Sequence, residues 1–134
     1  MQSYRINIDK KVLRLLGAQL YGDTPSIISE LVQNAYDADA KSVWITINTT
    51  TPSTIIVQDN GIGMTPEEIN TRFLNIGQDR RTDYPISPNG RRVLGRKGIG
   101  KLAVFSLAKI IDVYSMKDGN IAACRLDFDD ITLH

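Results

Sequence analysis

Three stretches of this chain carry residue types that could do chemistry. The first, Ile27 to Ala40 (IISELVQNAYDADA), sets Glu30, Asn34 and Asp37 at i, i+4 and i+7, so a helix brings two carboxylates and an amide to one face. Taken alone, such a stripe is also what a solvated helix surface looks like. The second is Asp59-Asn60-Gly61-Ile62-Gly63-Met64, which follows a strand-like run and by itself reads as an ordinary turn. The third is Gly95-Arg96-Lys97-Gly98-Ile99-Gly100-Lys101, which precedes a helix-like run. It satisfies the first seven positions of the phosphate-binding P-loop, G-x-x-x-x-G-K. The eighth should be a Ser or Thr hydroxyl that holds magnesium, and Leu102 stands there instead. A P-loop also needs a buried parallel strand upstream, whereas Ser87 to Leu94 (SPNGRRVL) is turn-rich and basic. The P-loop reading therefore fails, and the three polar or glycine-rich stations have to be explained together.

The elements that must position these stations can be read from pattern. Tyr4 to Ile8 alternates as a short strand, and Lys10 to Tyr21 carries Val12, Leu13, Leu15, Leu16 and Leu20 at helical spacing before Gly22. The striped helix follows, with Pro25 at its start, Ser26 as N-cap, and an end near Ala40; Ile28, Leu31, Val32 and Ala35 are its expected core residues. Ser42 to Thr49 and Thr54 to Gln58 read as adjacent antiparallel strands, the second delivering Asp59. Thr65-Pro66-Glu67-Glu68 starts a helix expected to reach about Asn75, and Gly98 to Lys109 a further one. Ile110 to Met116 and Ile121 to Phe128 are strands joined at Asp118-Gly119, a strong hairpin signal. Gln78 to Arg96 holds two prolines, Asn89-Gly90 and Arg80, Arg81, Arg91 and Arg92, without periodicity: a disordered stretch or a functional loop. Helices mixed with hairpins predict an α+β sandwich, helices layered on one face of a mostly antiparallel sheet.

Composition sets the frame. A chain of 134 residues with 42% hydrophobic and 23% charged residues is one ordinary globular domain, able to bury a core without staples. Sixteen basic residues against 15 acidic leave a net charge of +1, so no global field draws it to nucleic acid or an anionic membrane. Cys124 is the single cysteine, which excludes an internal disulfide and suits a reducing cytosol. No apolar run is long enough to span a bilayer and the N-terminus lacks a signal-peptide core, so a cytoplasmic protein is expected.

Read together, the stations resemble the GHKL ATPases: gyrases, heat-shock chaperones, histidine kinases and MutL proteins, with their Bergerat ATP-binding fold. Glu30-x-x-x-Asn34-Ala35-x-Asp37-Ala38 is similar to that family's N box, Asp59-x-Gly61-x-Gly63-Met64 to its adenine-binding box, and Gly95-x-x-Gly98-x-Gly100 to its second glycine box, in the expected order from Glu30 to Phe105. The resemblance implies one ATP-binding domain over residues 1–134, with an ATP lid at about 77–97. It makes Asn34 a magnesium ligand, sufficient because Mg2+ takes few protein ligands beside waters and phosphate oxygens. It places Glu30 beside the γ-phosphate, to orient or deprotonate the attacking water. Asp59 would accept from the adenine amino group and so disfavour guanine, which presents a carbonyl there. Gly61 and Gly63 would let the backbone approach the base, and Met64 would form an apolar wall. Gly98, Ile99 and Gly100 would turn backbone N–H groups toward phosphates at a helix start, with Lys101 adding charge or lying solvated. Asp37 would hold the site by hydrogen bonding, and the lid arginines would meet phosphates or keep the loop soluble.

The resemblance further implies an ATP-hydrolysing conformational switch of the chaperone or MutL type. The chain would be the N-terminal module of a longer parent, with the Bergerat fold truncated at its C-terminal side, or a minimal module, with slow turnover in isolation and, through a parent, a homodimer. A histidine kinase catalytic domain is the rival within the superfamily. Against it, the Asn34-Ala35-x-Asp37-Ala38 form resembles the ATPase branch, and His134 is the sole histidine. A module that senses ATP without turning it over is the rival from another class.

Overall fold

A computed structural model of the chain describes residues 4, 7–8, 24–76, 85–95, 104 and 107–127. The expected helix at Lys10 to Tyr21 and most of that at Gly98 to Lys109 lie outside them; Val104, Leu107 and Ala108 form a single turn.

Strand β1 (Asn7–Ile8) leads to helix α1 (Thr24–Asp37), strands β2 (Val43–Asn48) and β3 (Thr54–Asp59), helix α2 (Pro66–Glu68), strand β4 (Asn75–Ile76), and strands β5 (Ile110–Lys117) and β6 (Asn120–Asp127). The class is α+β, with pairing mostly antiparallel: β2 with β3 from Val43↔Asp59 to Asn48↔Thr54, and β5 with β6 from Ile110↔Asp127 to Lys117↔Asn120. The parallel pair is β1 with β4, Asn7↔Asn75 and Ile8↔Ile76. Among the described residues the strands join as three two-stranded sheets.

Helix α1 begins at Thr24, so Ser26 lies inside its first turn rather than capping it. It also ends before Ala40. Asp39 turns into the left-handed region (φ 60), its N–H donates to Tyr36 O (3.0 Å), and Ala40 N–H donates to Ala35 O (3.0 Å). That pair of bonds is a Schellman closure with aspartate where glycine is usual. The buried face of α1 is Ile27 and Ala35; Ile28, Leu31 and Val32, expected in the core, are half-buried.

The α2 start follows the sequence closely. Thr65 accepts from Glu68 N–H (3.2 Å) and Glu68 Oε2 accepts from Thr65 N–H (2.8 Å), a reciprocal capping box with Pro66 in the first turn. The helix then widens into a π-turn, Ile69–Phe73, in which Leu74 N–H reaches Ile69 O (2.8 Å). This widening ends the helix short of Asn75 and frees Asn75 and Ile76 to pair with β1. The same turn buries Ile69 and Leu74 against Ala122, with Tyr4, Met64, Phe73, Cys124 and Leu126 packed around them. Each such fully buried aliphatic side chain contributes about 1.5–3 kcal/mol. Burial, followed by the charge of Asp112, pushes the Cys124 thiol above its ordinary range, so it behaves as a packing residue.

The β5–β6 hairpin closes on Asp118-Gly119, both at positive φ (51 and 78), as its two-residue loop demands. Residues 85–95, expected to lack periodicity, are ordered around an Ile86↔Arg92 bridge.

Candidate functional site

The site is built at the C-terminal end of α1. Glu30 is exposed on that helix, and Asn34 and Asp37 on the same stripe are half-buried. Asp37 uses its carboxylate on the chain that leads into the second glycine box: Oδ1 accepts from Leu94 N–H (2.7 Å) and Oδ2 from Gly95 N–H (2.8 Å). A carboxylate taking two backbone donors fixes both position and direction of that strip.

The Asp59–Met64 loop meets the same helix end. Ile62 N–H donates to Ala38 O (2.8 Å), and Asn60 Oδ1 accepts from Lys41 N–H (2.8 Å) and Ser42 N–H (2.9 Å), tying the loop across the start of β2. Asp59 Oδ1 accepts from Gly61 N–H (2.8 Å), an Asx-turn that holds the exposed carboxylate at the end of β3. Its other oxygen makes no hydrogen bond among the described residues, and an ionised carboxylate has acceptor capacity to spare.

The two glycines of this loop have a physical reason within the protein itself. A Cβ on Gly61 would stand 2.5 Å from Ala38 O, and one on Gly63 (φ +72) would stand 1.9 Å from Met116 O. Both therefore permit protein backbone to pack against protein backbone, Gly61 on α1 and Gly63 on β5. Met64, expected as a wall for the base, packs against the Ile69–Leu74–Ala122 cluster, and its N–H donates to Ser115 Oγ (2.7 Å). Lys117 extends this brace: its ammonium donates to both Glu68 oxygens (2.7 and 2.8 Å). Partial burial acts to raise the Glu68 carboxyl, but the Lys117 hydrogen bond, the Thr65 N–H and the charges of Lys117 and Arg72 outweigh it and hold the group below the usual range.

Sequence reasoning missed three residues that organise the site. Arg91 is engaged by the protein itself: its guanidinium donates to Tyr36 O (3.2 Å) and Ala40 O (2.7 Å), carbonyls at and just past the end of α1, and stacks over the Tyr36 ring at 4.7 Å. A cation at a helix C-terminus also complements the dipole. Ser115 braces Met64 from β5, and buried Asp39 anchors the 85–93 turn. No local pattern announces these, since their partners are roughly fifty positions away. Gly98, Ile99, Gly100 and Lys101 lie outside the described residues.

Among the described residues no three His, Cys, Asp or Glu side chains gather as a metal cage. The oxygen donor of Asn34 suits instead a hard cation that arrives with phosphates and keeps its waters. No helix among the described residues is long and apolar enough to cross a membrane.

Comparison with known proteins agrees with this geometry. Residues 24–134 match the model of the family described as histidine kinase-, DNA gyrase B-, and HSP90-like ATPase. The chain is 46% identical to the "Putative type II restriction enzyme HgiDII" of Herpetosiphon aurantiacus over 87% of its own length and 18% of that protein's. It is 30% identical to DNA mismatch repair protein MutL of Ehrlichia chaffeensis, over 87% of this chain and 17% of the relative. With the mitochondrial heat shock protein 75 kDa of Rattus norvegicus it shares 30% identity over 79% of this chain and 18% of the relative. The chain thus spans less than one fifth of the length of these relatives. Two stations and the first glycine of the third meeting at one helix end, and a family match over residues 24–134, lead to the same conclusion: the chain belongs to the histidine kinase-, DNA gyrase B- and HSP90-like ATPases, the GHKL superfamily.

Proposed function

We propose that this module binds ATP across the C-terminal end of α1 and hydrolyses it, and that the resulting change at the 85–95 segment is passed to other parts of a longer protein. One observation carries the reading: Asp37, the last residue of α1, and Ala38, the next, hold the Leu94–Gly95 strip on one side and the Asp59–Met64 loop on the other. A nucleotide laid over that junction has its base at Asp59 and its phosphates toward Gly95.

Asp59, exposed at the end of β3, accepts from the adenine amino group. Gly98, Ile99, Gly100 and Lys101 line the phosphates. Asn34 would hold magnesium through its amide oxygen, and the ion, when bound, would supply charge neutralisation for the phosphate oxygens. Glu30, one turn before Asn34 on the same stripe and open to solvent, orients the attacking water and takes its proton. Phosphoryl transfer asks mainly for positioning and charge stabilisation, which is what rigid tethering of the loops to α1 provides.

The relatives' names, a restriction enzyme, a mismatch repair protein and a heat shock protein, place such modules in longer proteins of different task. Our reading for this chain is an ATP-driven conformational switch of the chaperone or MutL kind, with a homodimer formed through the parent. Incubation with γ-labelled ATP and magnesium is expected to release free phosphate slowly. Label retained on a histidine of a partner protein, with no free phosphate, would instead make the domain a kinase.

A further inference from the structure

We propose that Asp39 is a positioning residue for the phosphate side of the site: its buried carboxylate folds the 85–93 turn and docks it on the last turn of α1, which sets where Gly95 stands. The inference rests on the ATP-binding reading above.

The side chain of Asp39 is 1% exposed, and a carboxylate so buried must have its oxygens satisfied. Every partner comes from one short segment. The Ser87 hydroxyl donates to Oδ1, Asn89 N–H donates to Oδ2 (3.0 Å), and Arg91 Nε lies 3.9 Å from Oδ1. Ser87 Oγ in turn accepts from Arg91 N–H (2.9 Å), while Ser87 N–H donates to Arg91 O (2.8 Å) and Val93 N–H to Pro85 O (3.1 Å). The turn is wound around the carboxylate. Arg91, held in this way, reaches the carbonyls of Tyr36 in α1 and of Ala40 just past it, and three and four residues later Leu94 and Gly95 reach Asp37. Asp39 and Asp37, two positions apart at the helix end, thus grip successive parts of the segment 87–95.

The backbone adds an independent argument. Asp39 occupies a left-handed conformation (φ 60) at a Schellman position where glycine is the residue of least strain. Keeping a side chain there against that preference points to a task for the carboxylate. None of the tethers of the Asp59–Met64 loop, which run to Ala38, Lys41, Ser42 and Ser115, passes through Asp39. Its effect should therefore fall on phosphates and spare the base.

Asp39→Gly is the decisive variant, because it deletes the carboxylate while relieving the backbone; Asp39→Asn keeps the shape and a carbonyl acceptor. Two readouts are taken on the full chain: hydrogen exchange of the Ser87–Gly95 amides without nucleotide, and calorimetric affinity for ATP and for adenosine. Asp39→Gly is expected to speed exchange at Asn89, Arg91, Leu94 and Gly95 and to weaken ATP by at least about tenfold, the scale of one lost charge-assisted hydrogen bond. Adenosine affinity should stay within about twofold, and Asp39→Asn should recover part of the ATP loss. Unchanged exchange and an unchanged ATP-to-adenosine ratio overturn the proposal, as does an equal loss of both ligands, which marks a merely structural role. Wild-type protein that binds no nucleotide sinks the ATP reading and the phosphate role with it, while exchange at Ser87–Gly95 still decides whether Asp39 holds the turn.

Discussion

Replacing Glu30 by alanine is expected to leave ATP affinity within about threefold of wild type while phosphate release falls by roughly 10²–10⁴-fold, the range a positioned general base supplies. The asymmetry follows from where Glu30 stands. It is exposed on α1, one turn before Asn34, and it makes none of the tethers that hold Asp59, Gly95 or the helix end. Its removal therefore costs the site no architecture. Glu30→Gln should behave like alanine, because an amide keeps the shape but cannot take a proton from water. Single-turnover phosphate release beside equilibrium binding separates the two effects. Equal release from wild type and both variants would remove the catalytic role of Glu30 and leave a nucleotide-sensing module.

Gly63→Ala is expected to destabilise the fold by at least about 3 kcal/mol, a large share of what a small domain possesses. The new methyl would stand 1.9 Å from Met116 O and 2.8 Å from Met116 C, and these are backbone atoms of β5, paired to β6 and unable to swing aside. The φ of +72 adds strain of its own. Gly119 provides the control: its φ is +78, yet nothing lies within 4 Å of an added Cβ, so Gly119→Ala should cost only about 1 kcal/mol. Urea midpoints at matched m-values measure both. Similar losses for the two variants would show that Gly63 is kept for its backbone freedom alone, and that the seam between the Asp59–Met64 loop and β5 matters little.

How much of this was legible in the sequence depends on the distance over which each feature is written. The helix start at Thr65-Pro66, the Asp118-Gly119 loop and the β2–β3 pairing are local, and pattern alone places them within a residue or two. The order of the three stations was readable for the same reason, as was the α+β class. Helix ends were less so: Thr24 and Ser26 offer two hydroxyls for one start, and the stop before Ala40 depends on an aspartate accepting a left-handed backbone. What holds the stations together was not legible. Asp37 to Gly95, Asp39 to Ser87, Arg91 to Tyr36 and Gly63 to Met116 each join residues about fifty positions apart, and no periodicity encodes which polar group meets which. That Gly61 and Gly63 also make room for the Ala38 and Met116 backbone is likewise written in no local pattern. The arginine-rich stretch was ambiguous because composition cannot distinguish a phosphate contact from a helix C-terminal contact, and the guanidinium geometry suits both.

The central claim is that the end of α1 gathers one adenine nucleotide site. Isothermal titration of the chain with ATP and with GTP, magnesium present, tests it most directly, with Asp59→Asn alongside. Saturable heat with ATP, none with GTP at the same concentrations, and at least about a tenfold loss of ATP affinity in Asp59→Asn are the results this account predicts. No heat with ATP, or equal affinity for ATP and GTP that Asp59→Asn leaves untouched, would contradict it.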